Sequence, residues 1–178
     1  LRDDLIYLLA NGTVGICFND KSRIILDPNE KFVQYYKNYF SPLGFVNLNE
    51  VQNVSREIDE KISLVKKFAK VFKKYTNLYE QKVANTVSSI PLYQISSFIK
   101  KDKSVLYKFS NKNVQVDFSD GKKLIIFWST KRVCISKNIK EKCNLMDLKY
   151  VATMNPNSEE NKKLKKSKEL LSNLALTI

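Results

Sequence analysis

The sequence repeats itself with a period of 100 residues. Between residues 7–33 and 107–133, eight aligned pairs are identical without a gap: Tyr7/Tyr107, Asn11/Asn111, Val14/Val114, Phe18/Phe118, Asp20/Asp120, Ile25/Ile125, Lys31/Lys131 and Val33/Val133. Other aligned pairs keep their polarity, such as Ile16/Val116 and Arg23/Lys123. Two domain-sized copies are too few for a solenoid. The repeat therefore predicts two related domains in tandem.

The residue types that are absent exclude most catalytic sites. The 178-residue chain contains no histidine, which excludes Ser-His-Asp and Cys-His nucleophile systems and any His-ligated zinc. It has only four glycines and no Gly-rich phosphate loop, and neither HRD nor DFG occurs. We expect no cofactor and no metal, and we predict that this chain is not an enzyme by itself.

Cysteine content and hydropathy indicate the compartment. Cys17, Cys134 and Cys143 form an odd set without metal-ligand spacing, and each lies in a strand-like run. This pattern predicts buried, reduced thiols in a cytosolic or nuclear protein. No apolar run is long enough to span a bilayer, and no signal peptide is present. Because the chain begins without Met, we expect it to be a fragment of a longer protein.

The formal net charge of +13 favours an anionic partner, either nucleic acid, a phosphoprotein or a membrane surface. Only four of the 31 basic residues are arginine, the side chain that reads bases and phosphates best. We therefore predict no nucleic acid and no membrane partner, and we interpret much of the lysine excess as solvated surface.

Each copy is predicted to contain short antiparallel strands followed by one helix. The strands expected in the first copy are 5–9, 14–18, 23–26, 32–36 and 44–48, with Asn11-Gly12 as a hairpin turn. Apolar residues then recur every three or four positions, which predicts an amphipathic helix from about Asn49 to about Thr76. Residues 79–89 are interpreted as linker, and residues 91–99 as holding a short helical turn.

The second copy repeats this order. Its expected strands are 105–109, 114–118, 123–128, 132–135 and 144–152, with turns at Asn111-Lys112 and Asp120-Gly121. A second helix should follow, capped by Asn157 or Ser158, with Leu164, Leu171, Leu174 and Ile178 as its apolar stripe. The predicted boundaries are residues 1–78 for the first domain, 79–99 for the linker and 100–178 for the second domain.

Two segments carry a family resemblance that covers essentially the whole chain. Residues 13–26, TVGICFNDKSRIIL, resemble the first polo box of polo-like serine/threonine kinases. SNKNVQVDF at 110–118, followed by Asp120 and KLII at 123–126, resembles the second. The resemblance implies an α+β fold in which each box is a six-stranded antiparallel sheet crossed by one C-terminal helix, with both boxes packed as one unit.

The resemblance also implies a function. Such units are non-catalytic C-terminal parts of the kinases, and they dock Ser/Thr-phosphorylated proteins in the cleft between the boxes. They can also restrain their own kinase domain. Their location is the cytoplasm and nucleus, at centrosomes or spindle poles, kinetochores or the division site. We expect a monomer, with a homodimer as the alternative.

The residues implied for phosphate binding match the family only in part. In the family, a His and a Lys two residues apart hold the phosphate, and Lys123 matches the Lys. Gly121 occupies the His position, where its backbone N–H could donate, and Lys122 lies between them. Alternation along the strand could send Lys122 to the face opposite Lys123. Asn77, Leu78 and Tyr79 match the segment that grips the peptide main chain. Trp128 does not match the family's peptide-packing Trp.

Two functions remain open at this point. The first is phosphopeptide docking. The alternative, favoured by the missing His, is a phosphorylation-independent dimerisation or scaffold module that binds a centrosomal or cytoskeletal protein. A basic nucleic-acid binder is the weakest interpretation, because the arginines and exposed aromatic residues that it needs are missing.

Overall fold

The computed structural model describes residues 4–38, 44–48, 54–75, 92–136 and 144–177. The chain divides into two compact units, Leu1–Gln94 and Ile95–Ile178. This division falls within the predicted linker 79–99. Among the described residues, no helix is long and apolar enough to cross a membrane.

The first unit is an antiparallel sheet with one long helix. Its strands, in spatial and chain order, are β1 (Leu5–Leu8), β2 (Val14–Cys17), β3 (Arg23–Leu26), β4 (Phe32–Tyr36) and β5 (Gly44–Asn47). Helix α1 (Arg56–Tyr75) follows and packs on this sheet. Their shared core is apolar, as the helical spacing predicts, and consists of Val14, Ile16, Ile24, Leu26, Val33, Ile62, Val65 and Ala69.

The second unit has a six-stranded antiparallel sheet and two helices. Its strands are β6 (Ile95–Lys101), β7 (Ser104–Phe109), β8 (Val114–Asp117), β9 (Lys123–Phe127), β10 (Arg132–Ser136) and β11 (Leu145–Asp147). Helices α2 (Leu148–Thr153) and α3 (Glu159–Thr177) follow. The core is formed by Leu106, Val114, Val116, Leu124, Ile126, Val133, Val151, Leu164, Leu170 and Leu174.

The strand register repeats at the same 100-residue offset as the sequence. Val14 pairs with Leu26 and Val114 pairs with Ile126, and the match continues to Val33–Val46 and Val133–Met146. The hairpin turns repeat as well. In the first unit the Lys21 N–H donates to the Phe18 carbonyl at 3.1 Å, and in the second the Gly121 N–H donates to the Phe118 carbonyl at 3.1 Å. The α+β tandem prediction is confirmed.

Several sequence predictions need correction. The segment 91–99 holds no helical turn in its described part, because residues from Ile95 onward form β6. The predicted strand 144–152 is only β11, and its second half is α2. Helix α1 begins at Arg56 rather than near Asn49. The identical pair Phe18 and Phe118 is half-buried in both units, since each lies at a strand end beside a turn.

The cysteines differ from one another. Cys17 is a buried thiol. Cys134 is buried but disulfide-bonded, so the prediction of a reduced thiol is wrong for this residue. Cys143 lies outside the described residues.

Candidate functional site

Lys123 is the first residue of β9, on the sheet face that points away from α3. Leu124 and Ile126, its neighbours at alternate positions, pack into the core with the helix. Because successive side chains of a strand point to opposite faces, Lys123 and Ile125 share the other face. The Lys123 side chain is one-third exposed (33%), so it is accessible to a ligand.

A carboxylate accompanies this lysine. Asp117 on β8 lies directly opposite Lys123 in the hairpin register, and the Lys123 Nζ is 3.2 Å from the Asp117 Oδ2. The Gln115 Nε2 donates to the other carboxylate oxygen, Oδ1, at 2.8 Å. Asp117 is thus held on both sides, and an incoming phosphate would compete with it for the lysine.

Tyr107 lies near Asp117, and both burial and the Asp117 charge affect the pKa of its phenol. Tyr107 on β7 lies opposite Gln115 in the register and is half-buried. Burial, and secondly the negative charge of Asp117, raise the pKa of the Tyr107 phenol. Tyr107 therefore stays neutral and can act only as a hydroxyl donor or acceptor on this face.

Lys122 faces the helix side. Its Nζ donates to the Glu159 Oε1 at the start of α3, and this hydrogen bond raises the pKa of the Lys122 ammonium. The structure therefore does not bring Lys122 and Lys123 together, as strand alternation predicts.

Gly121 offers no donor to a ligand. Its backbone N–H is used by the turn, where it donates to the Phe118 carbonyl at 3.1 Å, so the expectation of a free backbone donor is wrong. Gly121 has φ = +81°, a conformation that side chains rarely adopt, yet a Cβ added there would meet no atom within 4 Å. Open space therefore surrounds Gly121, the position at which the family has its histidine.

In the described part of the chain, no other candidate residue is found beside Lys123. Asn77, Leu78 and Tyr79 lie outside the described residues. Lys101 pairs with Glu169 at 3.2 Å, and Lys100 is three strands away from Lys123 along one row of the sheet, about 14 Å at the usual strand spacing. Within the described ranges, no group of three or more His, Cys, Asp or Glu side chains could hold a metal ion.

Sequence reasoning missed Asp117 and Gln115. A signal for Asp117 was available: its turn carries Asp120-Gly121, and a hairpin closed there must place Asp117 opposite Lys123. A cross-strand pair of opposite charges was therefore readable from the hairpin register.

A comparison with family models identifies the chain. The model for the POLO box duplicated region matches residues 3–62 and 101–166, which are most of both copies. The chain belongs to the polo-box family. Because the polo box is a non-catalytic binding module, this match confirms the prediction that the chain is not itself a kinase.

Sequence relatives of this polo-box chain are much longer proteins. A probable serine/threonine-protein kinase CCRP1 of Zea mays is 27% identical over 132 residues, which cover 71% of this chain and 20% of the maize protein. The serine/threonine-protein kinase PLK2 of Mus musculus is 27% identical over 123 residues, which cover 67% of this chain and 17% of the mouse protein. The chain thus spans about a fifth of the length of these relatives.

Solved polo-box domains share the fold. The Cdc5 polo-box domain of budding yeast superposes with a TM-score of 0.68 at 19% identity, covering 97% of this chain and 72% of the yeast chain. The same yeast domain bound to a Spc72 phosphopeptide gives a TM-score of 0.67 at 20% identity, covering 94% and 65%. These likenesses establish the tandem polo-box architecture.

Proposed function

We propose that this polo-box chain is the docking module of a polo-like kinase and that it binds Ser/Thr-phosphorylated proteins. The single observation that carries the proposal is the place of Lys123, a partly exposed cation at the position that matches the family's phosphate lysine. The similarity to a probable serine/threonine-protein kinase of maize and to the mouse kinase PLK2, and the phosphopeptide bound to the yeast Cdc5 domain, support it. Restraint of a kinase domain, and location at centrosomes, kinetochores or the division site, belong to the same proposal.

Phosphate binding requires an exchange of partners at Lys123. A phosphate group carries a charge of about −1.5 to −2 at neutral pH and three acceptor oxygens, whereas Asp117 carries a single charge. The phosphate is therefore the stronger partner for the ammonium, but its binding brings it close to the Asp117 carboxylate. We infer that Asp117 weakens phosphate binding in the native chain.

Two substitutions test the role of Lys123. Lys123→Met should weaken phosphopeptide binding by ~1.5–3 kcal/mol, the range for a hydrogen bond to a charged group. Asp117→Asn should strengthen it, because the competing charge is removed while the side chain keeps its shape. Lys122→Met is the matched control, since Lys122 faces the helix, and it should leave affinity nearly unchanged. Calorimetry with a phosphopeptide selected from a phosphoserine and phosphothreonine peptide array measures all three.

A third substitution tests the open space at Gly121. Gly121→His should strengthen phosphopeptide binding, and more so below about pH 6.5, where the imidazole becomes cationic. The backbone can accept a side chain here, because Lys21 occupies the equivalent turn position of the first unit at φ = +69°. A pH-independent affinity of the His variant would show that position 121 does not approach the phosphate.

A second function, phosphorylation-independent docking, is favoured by a separate observation. Lys122 and Lys123 are both paired with carboxylates, and the Gly121 N–H is used within its turn. If Lys123→Met leaves the affinity for the selected phosphopeptide unchanged, this second function replaces the first.

A further inference from the structure

The second unit contains an open cavity of about 430 Å³ on the helix side of its sheet, away from Lys123. Its wall is apolar and is formed by Val114, Leu171, Leu174 and Ala175. Trp128, Lys108 and Lys112 also line the cavity. Ligand pockets typically measure about 300–1,000 Å³, so this cavity suits one bulky side chain of a partner.

Trp128 is held in place although it is 46% exposed. Its backbone N–H donates to the Asn113 Oδ1 at 3.1 Å, which ties it to the β7–β8 turn. The Lys131 Nζ lies 3.7 Å from the centroid of the indole ring, within cation–π range. Tryptophan is enriched among the residues that carry most of the binding energy of protein interfaces, so a fixed, exposed Trp beside an apolar cavity is suited to anchor a partner.

The repeat explains why the cavity exists in this unit. Lys61 on α1 and Lys163 on α3 make equivalent contacts with Asp20 and Asp120, so the two helices align with an offset of 102 residues. On this alignment Lys73 corresponds to Ala175, while the β3–β4 turn residue Glu30 corresponds to Thr130. Lys73 binds Glu30 in the first unit, which joins the helix end to the turn. Ala175 and Thr130 cannot form this ion pair, so the same place remains open in the second unit.

Two further residue differences between the copies make the cavity of the second unit suitable for binding a ligand. Trp128 stands where the first unit has Pro28, and Leu174 stands where it has the larger Phe72. The second copy thus loses volume and an ion pair at the helix end but gains an exposed indole. Core packing alone does not require these exchanges, since the first copy fills the corresponding place with its own side chains.

We propose that this cavity, with Trp128 and the lysines around it, binds an acidic segment of a partner protein through one bulky apolar side chain. The argument for this occupant is charge complementarity: Lys108 and Lys112 line the cavity, Lys131 lies over the indole ring, and no carboxylate is among the described residues that line the cavity. The apolar wall of Val114, Leu171 and Leu174 selects an aliphatic or aromatic side chain. The site is separate from Lys123 and requires no phosphate.

Trp128 is the only tryptophan in the sequence, so it reports on its own site. The probe is an acetylated, amidated nonapeptide of Asp and Glu residues with a central Phe, which is not excited at the tryptophan wavelength. Titration of this peptide into the full chain should change the Trp128 emission in a saturable way. A peptide with a central Ser should bind at least about tenfold more weakly, the scale of losing one anchor side chain. Unchanged emission, or no saturable binding with a Kd below about 1 mM, would overturn the proposal.

Variants of the chain locate the binding site, with anisotropy of a labelled peptide as the readout. Ala175→Phe fills the cavity and should weaken binding at least about tenfold, whereas Ser172→Phe, on an exposed position of the same helix, is its matched control. The double variant Lys112→Gln and Lys131→Gln should weaken binding similarly, with Lys31→Gln, at the position of the first unit that aligns with Lys131, as the control. Equal binding by Ala175→Phe would rule out the cavity. Tighter binding of an equally charged single-stranded oligonucleotide would show a nucleic-acid site instead.

Discussion

At the scale of single residues, one lysine of each long helix connects the helix to a hairpin of its sheet. Lys61 donates to Asp20 at 3.0 Å and lies 4.9 Å from the centre of the Phe18 ring. Lys163 donates to Asp120 at 2.7 Å and lies 4.2 Å from the Phe118 ring. Although charged, Lys61 and Lys163 keep only 12% and 10% of their side chains exposed. Burial of an ammonium is tolerated here because the carboxylate and the ring face compensate it.

These contacts also change the titration of the aspartates. The hydrogen bond from Lys163 lowers the pKa of the Asp120 carboxyl. Burial raises the pKa of Asp20, but the hydrogen bonds from Ser22 and Lys61 outweigh it, so the net shift is also downward. A carboxyl with a depressed pKa in the folded state contributes stability above its unfolded pKa and loses it as the pH falls through the folded value. Both contacts therefore stabilise the chain at neutral pH.

Replacing the buried lysine of the second unit tests this connection. Lys163→Met should lower the free energy of unfolding by ~1–2 kcal/mol, because a charge-assisted hydrogen bond and a ring contact are lost while the aliphatic stem is kept. Lys162→Met, one position earlier and exposed, should change it by less than ~0.5 kcal/mol. Urea denaturation followed by circular dichroism compares them. Equal stability of the two variants would mean that the Lys163 contacts do not stabilise the fold.

Cys17 predicts a loss of stability at alkaline pH. Burial raises the pKa of the Cys17 thiol from 9.0 to about 12. The thiol therefore contributes stability that is fully present below pH 9 and is lost as the pH rises from there toward 12, since only the unfolded state ionises in that interval. Urea midpoints measured between pH 8 and pH 10.5 should fall more steeply for the native chain than for Cys17→Ala. Parallel curves would contradict the burial of a protonated thiol.

At the scale of secondary-structure elements, hydrophobic periodicity predicted the two long helices and most strands, but it did not predict strand β6 or helix α2. Strand β6 shows no apolar period-two pattern in the sequence, because one of its buried positions is Ser97, and its pairing with β7 shifts register between Ile95 and Ser97. Strand β11 gives way to α2 because the Asp147 side chain accepts from the Lys149 and Tyr150 backbone N–H groups. The Asp147 N-cap therefore ends β11 and begins α2, and the strand propensity of residues 144–152 did not indicate this change.

The apolar stripe of α1 is the element-scale prediction with the clearest outcome. Ile62 and Val65 are buried and Lys70 is exposed, as the spacing predicts, whereas Ile58, Phe68 and Phe72 are only partly buried. Ile62→Asp would place an unpaired charge in the core and should unfold the first unit. Ser63→Asp, one position along and exposed, should remain folded. A cooperative thermal transition of Ile62→Asp at the wild-type temperature would show that this face is not core.

At the scale of the whole molecule, duplication kept the register and let the surfaces diverge. Strands β1–β5 of the first sheet agree in register with β7–β11 of the second, because buried apolar residues specify the register and a one-residue slip would reverse every side chain. The sequence was therefore sufficient to predict the tandem architecture. For the candidate site, Lys123 was identified by resemblance, whereas its cross-strand partner Asp117 was readable from the hairpin register but was missed. The cavity beside Trp128 could not be predicted from the sequence, because it is recognised only when the helix ends and turns of the two copies are compared in three dimensions.

The central claim is that this chain recognises phosphorylated partners through Lys123. The most direct test is calorimetric titration of the full chain with array-selected peptides, each prepared in phosphorylated and unmodified form. We predict that the phosphorylated form binds more tightly by at least about tenfold, corresponding to ~1.4 kcal/mol, and that this preference disappears in Lys123→Met. Equal affinity for the two forms would contradict the claim and would identify the chain as a phosphorylation-independent docking module.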